Sequence, residues 1–225
     1  MKANSVRYLI LFFLLFSTAE TFAKEILVIG DSHSCGSFGK TLIEELSKKN
    51  ANVNLYCTVS SAPNHWITGT NPPGQVCKTM STGHLTLQDC ESVMPTLSKL
   101  LSDHKEALVI AAMGTNSLLA PTADRYYKQF AEAIEESGQS CVWIGPPHFN
   151  ESQSKGFPKG RVALLNSNLN PFYTSLTAAV SGCKLIDSRE ATASTTSGYD
   201  TVDGVHRTTA AGKYWATEVA KEVLN

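Results

Sequence analysis

Four polar residues, far apart in the chain, could together do nucleophilic chemistry. Ser32 lies in Gly30-Asp31-Ser32-His33-Ser34, directly after the apolar run Ile26-Leu27-Val28-Ile29. Such a run reads as a buried strand, and the turn that ends it leaves a serine at the strand tip. A serine hydroxyl is a poor nucleophile at neutral pH. It needs a base within hydrogen-bond reach and a third group that orients the base. Asp203 and His206 supply both types, three residues apart. In one helical turn or a tight loop that spacing puts both side chains on one side. Asp203 would then hold one imidazole nitrogen while the other faces Ser32. Asp-x-x-His is a frequent chance pattern, and a surface pair is the plain alternative. Its weight comes from its place between the last strand and the last helix. Acyl transfer also needs donors aimed at the oxyanion of a tetrahedral intermediate. Asn116, in Gly114-Thr115-Asn116-Ser117, offers a side-chain NH2, although asparagine in such a segment equally suits a turn. The backbone N–H of Ser32 and one N–H from the loop after the second strand would complete the set.

The elements that must position these residues follow from periodicity. After the opening strand, Phe38, Leu42 and Leu46 repeat at helical spacing across Ser37 to Lys49, with Ser37 as a candidate cap. Val53 to Val59 reads as a second strand. Residues 61 to 91 are punctuated by proline and glycine and read as a long insertion loop anchored by Trp66. A short helix over 92 to 104 leads to the strand Ala107–Met113. A helix over Pro121 to Ser137 follows, with Tyr126 or Tyr127, Phe130 and Ile134 on its apolar face. Cys141–Ile144 is a fourth strand and Lys184–Asp187 a fifth. Between them, residues 162 to 180 read as a helix broken by Pro171. The last helix starts near Thr208 or Thr209 and carries Trp215, Val219 and Val223.

Strands alternating with helices imply a three-layer α/β/α sandwich around a five-stranded, mainly parallel sheet. Right-handed crossovers then put the carboxyl ends of all strands on one edge. That edge collects Ser32, the loop after Val59, Asn116, His148, and the loop holding Asp203 and His206. Ligands bind at this edge in open α/β sheets.

Composition bounds the rest. Lys2 and Arg7 precede the unbroken apolar run Tyr8 to Phe16, and small residues follow. Residues 1–23 read as a secretory signal peptide, too short for a membrane span. An uncleaved anchor is the lesser reading, and no cysteine follows the run to make a lipoprotein signal. A single domain over 24–225 is expected, large enough for a well-buried core. Removing Lys2, Arg7 and Glu20 takes the formal net charge from -1 to -2. Nothing there calls for a nucleic-acid partner. Six cysteines in an exported chain suggest disulfides, whose pairing the sequence does not fix. Neighbours in the inferred fold would be Cys35 with Cys57, Cys77 with Cys90, and Cys141 with Cys183. No Cys-x-x-Cys or His-x-x-x-His spacing occurs, so no metal or other cofactor is expected. Two rival motifs fail on Ser34. A P-loop and the α/β-hydrolase elbow Gly-x-Ser-x-Gly both need glycine at that position.

With those residues in place, the chain resembles the SGNH, or GDSL-like, hydrolase superfamily over nearly all of residues 24–225. Gly30-Asp31-Ser32-His33-Ser34 resembles its first block, Gly114-Thr115-Asn116 its third, and Asp203-Gly204-Val205-His206 its last. The resemblance implies a flavodoxin-like fold, Ser32 as nucleophile, Asp203 and His206 as orienter and base, and Asn116 as an oxyanion donor. The second block departs: where the family has a glycine N–H, this chain reads Thr58-Val59-Ser60-Ser61-Ala62-Pro63, and Ser61 is placed there. Asp31 is read as a turn residue rather than the triad acid, and His33 as packing in the turn and pointing away from Ser32. His65 and Trp66 are candidates to line a substrate pocket. His148 is a candidate for substrate contact or loop structure, and His84 and His104 for the surface.

The expected function is a periplasmic or secreted serine esterase that removes acetyl or other small acyl groups from carbohydrate or cell-wall glycan. Its partner is an acylated small molecule or glycan, with no stable membrane anchor. An acyltransferase and a catalytically inactive glycan-binding module are the alternatives.

Overall fold

The computed structural model describes residues 25–90, 93–105, 107–119, 124–158 and 160–225. The expected signal peptide and Pro121, the expected start of a helix, lie outside them. The opening apolar run forms β1 (Glu25–Gly30), and its side chains divide between two cores. Ile26 and Val28 face α1 (Ser37–Ser47) and α7 (Thr209–Leu224), packing with Leu42, Ile43, Trp215 and Val219. Leu27 and Ile29 face the other side, among Leu97, Phe130, Ile134 and Trp143. A strand buried on both faces explains why the run is continuous rather than alternating. Each such side chain contributes about 1.5–3 kcal/mol by leaving water.

Beside β1 lie β2 (Asn52–Cys57) and β5 (Leu108–Ala112), both parallel to it. Beyond β5 come β6 (Cys141–Ile144) and β7 (Lys184–Ile186), also parallel. These are the five expected strands. The sheet has seven, because the expected insertion loop is largely folded. It forms α2 (Pro63–Thr68) and a hairpin of β3 (Lys78–Ser81) and β4 (His84–Asp89) that adds antiparallel to β2. The final order is β4-β3-β2-β1-β5-β6-β7. Proline and glycine density marked the turns of this segment but hid its short strands.

The remaining helices are α3 (Leu97–Asp103), α4 (Asp124–Glu136), α5 (Arg161–Ala179) and the short α6 (Ser188–Ala191). Tyr127, Phe130 and Ile134 form the buried stripe of α4. Two expectations fail. The start of α1 is capped by no side chain, since Gly36 rather than Ser37 occupies the cap position. Pro171 does not break α5, because it sits on an exposed face where solvent can meet the carbonyl it leaves free. All three expected disulfides form: Cys35–Cys57, Cys77–Cys90 and Cys141–Cys183. Among the described residues, no helix is long and apolar enough to cross a membrane.

Candidate active site

After β1 the chain turns sharply, with the amides of Ser34 and Cys35 both bonded to the Asp31 carbonyl. Gly30 is required here, since a Cβ on it would lie 2.0 Å from Ser34 Oγ. The turn leaves Ser32 half-buried at the edge of the sheet. Its backbone N–H donates to no protein group among the described residues.

Between α6 and α7 a compact loop carries Asp203 and His206. Val202 N–H donates to the His206 carbonyl at 2.8 Å, and Thr201 bridges to Arg207. Gly204 takes φ +93°, and a Cβ there would sit 3.0 Å from Ser154 Cα. Asp203 Oδ1 accepts the amides of Val205 and His206 at 2.9 and 2.7 Å. Asp203 Oδ2 meets His206 Nδ1 at 2.7 Å. His206 Nε2 then stands 3.1 Å from Ser32 Oγ. The three residues form a continuous hydrogen-bonded chain, as their spacing implied. Burial pushes the Asp203 carboxyl up, but the His206 ring and the two amides outweigh it and hold it below its ordinary value.

Asn116, in the 3-10 turn Thr115–Ser117 after β5, reaches the same edge. Its Nδ2 donates to the Ser61 carbonyl at 3.0 Å, which leaves a second hydrogen on that nitrogen. Ser61 is placed differently from the expectation. Its N–H donates to the Thr58 carbonyl at 3.2 Å and closes a turn with Ser60 at φ 62°. Its fully buried Oγ donates to the Gly30 carbonyl at 3.1 Å and accepts Trp66 Nε1–H at 3.3 Å. The amides at the exposed tip of this turn are those of Val59 and Ser60.

Trp66 does not line a surface pocket. Trp66 is 0% exposed and belongs to the core under α2. An indole next to proline and histidine in a loop looks available in sequence, but the helix α2 turns it inward. His65 is half-buried, and its Nδ1 accepts the Ala62 amide at 3.0 Å, capping α2. Burial lowers its pKa against that hydrogen bond. His148 is a structural link: its N–H donates to Thr192 Oγ1 at 2.9 Å, and its Nδ1 lies 3.0 Å from the Arg189 carbonyl. His84 is exposed, whereas half-buried His104 pairs with Glu25 at 2.6 Å.

Arg207 was not singled out from sequence. It is buried and donates to the carbonyls of Tyr199 and His148, so it welds the His148 loop to the loop carrying His206. Burial lowers its pKa to about 10, against the attraction of Tyr199. Its place beside His206 was the one available signal. Gln153 braces the same loop by accepting from the Thr201 amide and hydroxyl at 2.6 and 2.8 Å.

The turn after β1 holds two more buried titratable groups. Asp31 accepts the His33 amide at 3.0 Å, in keeping with a turn role. Burial raises its pKa to about 7, against the amides of His33, Gly114 and Thr115 and the charge of His206. The His33 ring centroid lies 5.5 Å from that of His206. Burial lowers its pKa well below the ordinary value, and the charges of His206 and Arg207 add to that.

No family model matches the sequence, and no curated protein does. Solved structures do. An SGNH hydrolase from Slackia heliotrinireducens aligns with TM-score 0.62 and 17% identity, over 90% of this chain and all of that one. Phospholipase A1 from Streptomyces albidoflavus aligns with TM-score 0.58 and 11% identity, over 90% of this chain and 99% of the other. The acetyl xylan esterase AlAXEase aligns with TM-score 0.55 and 12% identity, over 88% and 99%. The chain therefore has the fold of the SGNH, or GDSL-like, hydrolases.

Proposed function

We propose that the protein is a serine esterase that works through an acyl-enzyme on Ser32. The observation that carries this reading is the chain Asp203–His206–Ser32, with contacts of 2.7 and 3.1 Å. His206 takes the Ser32 proton as Oγ attacks the ester carbonyl, and Asp203 stabilises the imidazolium. The tetrahedral oxyanion is met by the Ser32 amide and the second hydrogen of Asn116 Nδ2. The third donor is an amide at the Val59–Ser60 tip rather than that of Ser61. His206 then gives its proton to the leaving alkoxide, and water attacks the acyl-enzyme by the same route to release the acid.

The substrate we propose is carbohydrate or cell-wall glycan bearing acetyl or other small acyl groups. Support comes from the expected export of a disulfide-bonded chain and from the fold shared with an acetyl xylan esterase. Trp66 no longer contributes to it. The location that follows is periplasmic or secreted.

Hydrolysis of p-nitrophenyl acetate by the wild type, Ser32→Ala and His206→Ala tests the mechanism. Each variant is expected to lose about 10⁴-fold or more in kcat. A fluorophosphonate probe should label the wild type only, at Ser32. Full activity in Ser32→Ala would sink the assignment, and absence of any adduct in folded wild type would favour a non-catalytic glycan-binding module. Product analysis with and without a sugar acceptor separates hydrolysis from acyl transfer.

A further inference from the structure

We propose that a cavity behind the nucleophile turn binds one water, and that this water and His33 together prop the ring of His206, making His33 a positioning residue. The inference rests on the reading of His206 as the base.

The cavity has a volume of about 10 Å³, and Asp31, His33, Ser34, Phe38, Ile144 and Trp215 are among its walls. That is the space of one water molecule. Two of its lining residues carry buried polar atoms that no protein group meets, His33 Nε2 and Ser34 Oγ. Ser34 Oγ is held over the Gly30 backbone by the tightness of the turn, so it cannot swing out to solvent. A water needs two to four polar partners, and the two unmet atoms supply the minimum. Unmet polar atoms in an apolar setting are costly, and one water meets both orphans at once.

His33 is wedged from both sides. Its ring lies 5.5 Å from the His206 ring at a tilt of 43°. On the other side it meets Trp215 edge-on, also at 5.5 Å. Trp215 in turn stacks on Phe38 at 3.9 Å and donates Nε1–H to Ser188 at 3.0 Å. This ladder runs from the α1–α7 core to the base. Hydrogen bonds at both nitrogens hold the His206 imidazole in its plane, yet its side chain is 40% exposed. The His33 ring resists movement out of that plane on the protein side. A neutral His33 suits the place, because burial and the charges of His206 and Arg207 disfavour its cation and only Asp203 opposes them.

Three variants test this, read by kcat and KM on a p-nitrophenyl ester. His33→Ala should lower kcat about 10–30-fold with KM changed by less than about twofold, as expected for lost positioning. His33→Phe restores the ring without the nitrogen and should recover about half of that loss on a logarithmic scale. Ser34→Ala removes one water partner and should cost about two- to threefold. The low-field proton of the His206–Asp203 hydrogen bond should broaden in His33→Ala, a change that a general loss of stability does not produce in folded protein. A high-resolution crystal structure of the wild type should show one ordered water within hydrogen-bond distance of His33 Nε2 and Ser34 Oγ. A dry cavity, or folded His33→Ala with wild-type kcat, overturns the proposal. If His33→Ala does not fold, wild-type kcat in both His33→Phe and Ser34→Ala overturns it. Failure of the underlying reading looks different: His206→Ala would then keep its activity, whereas failure of this inference alone leaves His206→Ala inactive and the His33 variants unimpaired.

Discussion

Two loops meet at the same edge of the sheet and use similar residue types in opposite ways. The Thr201–Arg207 loop commits its backbone to bracing and buries Thr201, Val205 and Arg207, while Asp203 and His206 stay partly exposed. Its amides are taken by Asp203, its glycine lets it press on Ser154, and His206 is left aimed at Ser32. The loop after β2, Thr58 to Trp66, does the reverse. Ser61, His65 and Trp66 are occupied with the Gly30 carbonyl, the Ala62 amide and the core. The exposed residues at its tip are Val59 and Ser60, neither of them a candidate acid or base. Residue type at a sheet edge thus says little about function until the hydrogen bonds of the segment have been accounted for.

The comparison breaks most visibly at Trp66. If the indole is core, Trp66→Ala should cost about 3–5 kcal/mol of stability. It should leave kcat and KM of the remaining folded protein close to wild type. Urea unfolding and assay on an acetylated xylo-oligosaccharide measure the two separately. A raised KM at unchanged stability would mean that this residue faces substrate, and the contrast between the loops would fall.

Asn116 joins the two loops' roles, because one hydrogen of its amide pins the Ser61 carbonyl while the other is the one proposed to meet the oxyanion. Asn116→Ala is expected to lower kcat by about 10²–10³-fold, the usual loss for one oxyanion donor. The lost hydrogen bond to Ser61 should cost only about 0.5–1.5 kcal/mol. Wild-type turnover in a variant that is measurably less stable would assign Asn116 to bracing alone, on the side of the β2 loop.

Much of this architecture was legible because burial on both faces of a parallel strand leaves an unmistakable apolar run. Ile26–Ile29 and Val109–Ala112 carry that signature, and the helices between them carry regular stripes. Asp203 and His206 were legible because a three-residue spacing constrains geometry locally. The hairpin was not, since β4 is an exposed edge strand with no buried face to pattern it. Ser61 and Trp66 were misread for a related reason. Whether a polar group is spent within the protein depends on partners such as Gly30 and Thr58, and their approach is set by the sheet rather than by neighbours in sequence. Arg207 escaped notice because one carbonyl it serves, that of His148, comes from another loop and the other, that of Tyr199, lies eight residues back.

The smallest expected effect separates the loops by pH. Below neutrality each has one group whose folded-state pKa is lowered: His65 after β2, by burial, and Asp203 before α7, where hydrogen bonds from His206 and Val205 outweigh burial. For both, the unfolded chain binds a proton more readily, so stability falls as pH falls, but in different windows. His65 contributes above its ordinary value of 6.5, and its contribution drains as the pH drops below that point. Asp203 contributes above 3.8 and is lost only as the pH falls through its lower folded value. Both groups are partly exposed, so solvent keeps the slopes shallow. Glutamine at position 65 and asparagine at 203 keep an acceptor oxygen for the local amides while removing the titration. Urea midpoints measured across the acid range should then show His65→Gln flattening the curve just below 6.5 and Asp203→Asn flattening it only below 3.8. If both variants instead flatten the curve over one shared window, the contrast between the two loops does not extend to their ionisation.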